Sequence, residues 1–172
     1  MAALTEYYKD TEPEFKTFVV WSRDPNKPTE EAEAGHALIV QDLRAVIQRD
    51  AAMWFASGDV QWPENVPARE WWFQLLIDKG GGSTKVLLKH VCMHRADSVR
   101  RCTVVGILDK TKDTHENMLL AFGELFAQFN EINRAAEAGE PGGFIDVGHK
   151  VMLPMSAEYK YAENGKPVPV AV

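Results

Sequence analysis

The chain has 172 residues, 45% of them apolar and 26% charged, the size and mixture of one ordinary globular domain. That composition excludes a disordered tail, a collagen-like rod and a low-complexity linker, and no apolar run approaches the ~18 residues a membrane span needs. The net charge of −6 argues against non-specific wrapping of nucleic acid.

The first residues, Met1 to Glu6, lack the basic and apolar regions of a secretory signal. Two cysteines do not make a disulfide framework, so a reducing intracellular compartment, nucleus or cytoplasm, is expected. The charge is uneven: Lys79 to Lys112 carries eight bases and two acids, a local +6 that leaves −12 elsewhere. A basic segment in an acidic body suits a phosphate backbone, and it equally suits the solvated face of a sheet.

In chain order, the aromatic and β-branched run Phe15 to Trp21 predicts a strand, broken by Asp24-Pro25-Asn26-Lys27-Pro28. A long helix is predicted from Thr29 to Ser57. Pro28 suits its first position, Glu30, Glu31 and Glu33 its positive end, and Ile39, Leu43, Val46, Ile47 and Trp54 recur at helical spacing before Gly58. Such a helix could cover a sheet or present a face to a second copy. Trp62 to Pro67 reads as an ordered connection.

The apolar stretch Trp71 to Ile77 predicts a buried strand, Asp78 to Ser83 a glycine turn, Lys85 to His94 a second strand, Arg95 to Ser98 a short turn, and Val99 to Leu108 a third strand. Connections this short imply an antiparallel meander. Asp113 with Glu116 reads as a capping box. Met118, Phe122, Leu125, Phe126, Phe129, Ile132 and Ala136 form the apolar stripe of a helix that ends near Gly139 and Pro141. Phe144 to Leu153 predicts a fourth strand. The expected organisation is 1–66, a strand plus a long helix packing on the core, and 67–172, a β-β-β-α-β unit of mixed α+β or α/β class.

That order is the opening of the ribonuclease H-like fold, in which the fourth strand lies parallel to the first. Asp78, at the end of the first strand beside Gly80, Gly81 and Gly82, would leave room for a divalent cation and a polyanion. Asp146 or Glu158 could supply a second carboxylate. His90, Cys92 and His94 alternate along one strand and could share a face for zinc or copper, although satisfied histidines explain them better. Cys102 could lie opposite Cys92. Trp71, Trp72 and Phe73 suit core packing more than base stacking.

The stretch Leu75-Leu76-Ile77-Asp78-Lys79-Gly80-Gly81-Gly82-Ser83-Thr84-Lys85 resembles the first acidic strand and turn of animal transposon-derived proteins related to recombination-activating DDE recombinases. The resemblance extends through Arg95-Ala96-Asp97-Ser98, Lys112-Asp113-Thr114-His115-Glu116-Asn117 and Ser156-Ala157-Glu158-Tyr159-Lys160-Tyr161. It implies metal-dependent phosphodiester chemistry on DNA, with Asp78 and Glu158 as Mg²⁺ or Mn²⁺ ligands. The basic segment supplies the expected phosphate-facing set, Lys79, Lys85, Lys89, Arg95, Arg100 and Arg101. Glu158 stands where the family has Asp, and Lys79 where it has Gly. The third carboxylate and the Cys-rich zinc segment of the family would lie beyond this sequence. The expectation is therefore an incomplete site, inactive alone, on a chain that binds DNA or assembles as a homo-oligomer. Sugar-kinase and actin-like ATPases use a similar Asp-x-Gly-Gly-Gly turn, but they require two such domains.

Overall fold

The computed structural model describes residues 13–22, 33–64, 70–94, 101–146, 152–157, 162–163 and 166–167. The strands are β1 Phe15–Ser22, β2 Glu33–Val40, β3 Trp71–Gly80, β4 Ser83–His90, β5 Cys102–Asp109, β6 Phe144–Asp146 and β7 Met152–Ala157. A small ribbon follows, β8 Ala162–Glu163 with β9 Lys166–Pro167, and the helices are α1 Leu43–Ser57 and α2 His115–Glu137. Seven strands form one sheet in the order β1-β2-β5-β4-β3-β7-β6. The first five pair antiparallel, and β7 runs parallel to β3 with Trp71 opposite Met155 and Phe73 opposite Ala157. The protein is thus a mixed α and β fold.

Both helices lie on one face of this sheet. Phe129 of α2 meets Phe73 of β3 edge to face at 5.4 Å. Phe122 lies against the bare backbone of Gly106, where a Cβ would come within 2.9 Å of its ring. Leu43, Val46, Ile47 and Ala51 turn the buried side of α1 into the same core. Strand alternation then sends Asp78, Lys85, Lys89, Val104 and Trp21 to the opposite face, which carries no helix among the described residues. In β5 an extra residue, Val105, breaks the pairing with β4 between Val86 and Leu87.

The largest departure from expectation is at 33–40, predicted as part of a long helix and found as β2. Gly35, Ala37 and Ile39 face the core while Ala34 and His36 are exposed, an alternation that a helix cannot make. Gly35 is needed there, because a Cβ would come within 1.7 Å of the Thr111 Oγ1. Glu33 therefore belongs to a strand, and Pro28, Glu30 and Glu31 lie outside the described residues. The helix starts only at Leu43, where Asp42 accepts a hydrogen bond from the Ala45 N–H at 2.9 Å, and it closes at Gly58 in the left-handed region. Its buried side, Leu43, Val46, Ile47, Asp50 and Ala51, packs into the core, while Met53, Trp54 and Phe55 are partly buried.

Smaller corrections follow the same logic. Thr114 rather than Asp113 caps α2, accepting from the Asn117 N–H at 3.3 Å. The fourth strand is two, β6 and β7, paired antiparallel. Strand β3 continues through Asp78 to Gly80, leaving only Gly81 and Gly82 as the turn. Cys102 lies opposite Lys89, not Cys92.

Candidate functional site

Asp78 sits on β3 three residues before the hairpin tip, with Lys85 of β4 directly opposite. Gly81 and Gly82 take φ of 64° and 85°, the positive-φ pair that a two-residue hairpin needs to match the twist of its strands. That turn fixes the register: Gly80 pairs Ser83, Lys79 pairs Thr84 and Asp78 pairs Lys85. The Asp78 carboxylate is exposed, and among the described residues no ion pair holds it.

Lys79, one residue on, points to the helix face and pairs with Asp113, whose carboxyl it draws below the ordinary aspartate range by hydrogen bonding. Lys85 and Lys89 follow on the open face. Arg101 is committed elsewhere. It donates to Asp59 at 3.1 Å, lowering that carboxyl, and lies 4.5 Å over the Trp54 ring. Arg95, Arg100 and Glu158 lie outside the described residues. The last described residue of β7, Ala157, is level with Phe73, and Asp78 lies five residues farther along β3, about 16 Å at 3.3 Å per residue. Asp146 is a backbone partner of Gln48 at the far edge of the sheet.

Mg²⁺ is usually held by one or two carboxylates together with substrate phosphates. Among the described residues no group of three or more His, Cys, Asp or Glu side chains is placed to hold a metal ion. Asp78 stands there as a single carboxylate, and we assign no chemical step to a metal.

The His90, Cys92 and His94 trio is dispersed. His90 ends β4 inside the core, and His94 is exposed with Nδ1 2.9 Å from Gln61 Oε1. Cys92 is buried, accepting from the Trp72 N–H at 3.3 Å, and burial pushes its thiol up to about 11. Because the thiol form is favoured in the folded state, its contribution to stability is whole below about pH 9 and declines as pH rises toward 11. Cys92 is expected to resist alkylation in the folded protein at about pH 8 and to react only after denaturation. Peptide mapping of labelled protein checks this, and rapid native labelling of Cys92 would show that the site is open.

A polar cluster that the sequence reading did not single out lies beneath the helices. The Trp71 indole donates to His90 Nδ1 at 2.9 Å. An indole can only donate, so the network assigns His90 a single proton, on Nε2, facing Asp50 Oδ2 at 3.4 Å. Thr103 donates to the same oxygen at 2.6 Å, and Arg49 grips Asp50 Oδ1 through two nitrogens at 2.9 and 2.6 Å. Burial pushes the Asp50 carboxyl up, but hydrogen bonds from His90 and Thr103, with the Arg49 charge, outweigh it and hold the group below its usual range. The sequence did carry a signal: Asp50 falls four residues after Val46 and three after Ile47, on the apolar stripe of α1. Trp71 and His90 are wholly buried and Asp50 nearly so, while Arg49 and Thr103 are partly buried at the margin of the cluster.

Comparison with known protein families and with curated proteins gives no match to this chain. No helix among the described residues is long and apolar enough to cross a membrane.

Proposed function

We propose that this chain is a ribonuclease H-like core of DDE transposase or recombinase descent that engages DNA, with Asp78 the remaining first carboxylate of an incomplete two-metal site. The observation that carries the reading is the return of β7 parallel to and beside β3, after an antiparallel β3-β4-β5 meander and the crossover helix α2. It places an exposed acid-and-glycine hairpin on the strand next to the returning one. Lys85 and Lys89 lie on the same face as Asp78 and would meet a phosphate backbone as point charges. A reading without catalysis, as a DNA-binding module on the same fold, draws on Lys85: a cation stands directly opposite the acid that a metal would need.

Mn²⁺ titration of the protein and of Asp78→Ala, followed by calorimetry, tests the metal part. A specific site predicts affinity at least tenfold weaker in the variant, and equal weak binding by both proteins would remove it. DNA binding that survives Asp78→Ala but falls on Lys85→Ala/Lys89→Ala, without nuclease activity in either metal, would favour the binding module.

A further inference from the structure

The two ends of the seven-stranded sheet are unlike. β6 is a three-residue strand, whereas β1 is eight residues long and pairs, among the described residues, only with β2. A long edge strand presents a row of unpaired N–H and C=O groups, and proteins usually guard such edges with outward charges, prolines or bulges. β1 pairs with β2 in unbroken register over its whole length, and its single charge, Lys16, is ion-paired. Lys16 turns to the helix face, bonding Glu124 at 2.7 Å and lying 5.9 Å over the Phe18 ring.

Apart from Thr17 and Ser22, the side chains that remain are apolar. On the open face Phe15, Val19 and Trp21 are 39%, 46% and 65% exposed. On the helix side Leu120 is 54% exposed, one turn before the Glu124 that reaches β1 and so on the same side of α2. A strand added at this edge would thus be gripped from both faces. What would bind is set by the backbone, which asks for another strand, and by the sequence of β1, which is complementary to itself. In an antiparallel pairing centred on Phe18, Phe15 meets Trp21 of the second copy and Thr17 meets its Val19, both contacts occurring twice about the two-fold axis.

We infer that β1 is a homodimerisation edge, joining two copies antiparallel through residues 15–21 into one continuous sheet. This does not depend on Asp78 or on any metal, so it stands or falls separately from the functional reading above.

The test is sedimentation equilibrium of the full chain at tens of micromolar, with Trp21→Glu, Phe15→Lys and the double variant, each checked for native circular dichroism. The expected result is a dimer for the wild type, association weakened roughly tenfold or more toward monomer in each single variant, and restoration in the double variant, where Lys and Glu face each other twice. A wild type that stays monomeric would overturn the inference and hand the edge to a strand from a different partner. A dimer indifferent to Trp21→Glu would place the interface elsewhere, and a double variant no better than the singles would refute this register.

Discussion

Asp50→Ala is expected to cost about 3–5 kcal/mol of unfolding free energy, the range for removing one partner of a buried charged pair. The magnitude follows from what the substitution strands: the Arg49 guanidinium, the Thr103 hydroxyl and the His90 Nε2–H all donate to this one carboxylate. Thr103→Val removes a single donor and should cost less, about 1–2 kcal/mol. Urea unfolding measures both, and a loss below about 1 kcal/mol for Asp50→Ala would show that the network does not hold the core. The same carboxyl predicts an acid limb. Its folded-state pKa is lowered, so its contribution is whole above the unfolded value of about 3.9 and is lost as pH falls through and below it. In the variant that limb flattens.

Phe129→Ala should be of similar size, about 3–5 kcal/mol for truncating a fully buried aromatic. Phe129 is fully buried and meets Phe73 at 5.4 Å with rings nearly perpendicular, so the cavity would open between α2 and the strand that carries Asp78. Phe129→Leu, which keeps much of the volume, should lose less than about 2 kcal/mol. If both variants unfolded at the same denaturant concentration, packing at this contact would not be what fastens the helix to the sheet.

How far the sequence disclosed the molecule depends on what each segment leaves visible. The meander and α2 were legible because large residues mark their faces: Trp71, Phe73 and Leu75 on one side of β3, and Phe122, Leu125, Phe129 and Ile132 along α2. β2 was hidden because its buried face is built from Gly35, Ala37 and Ile39. Two of those three residues contribute almost no hydrophobic signal, and the acids before them imitate a helix start. Asp42, a strong cap residue placed directly before Leu43, held the true boundary. At the site, the hairpin was legible because three glycines admit little else, although only Gly81 and Gly82 take positive φ. The partners of the basic residues were not legible, since Asp113 and Asp59 reach Lys79 and Arg101 only through the tertiary fold.

The extra residue in β5 has an effect well beyond its own position. Side chains three apart on a regular strand point to opposite sides, yet Thr103 reaches Asp50 while Gly106 makes space for Phe122, both beneath the helices. Val105 inverts the parity of the strand between them. Excising that one residue would turn either the hydroxyl or the glycine outward, so that α1 and α2 could no longer both be seated on the same sheet.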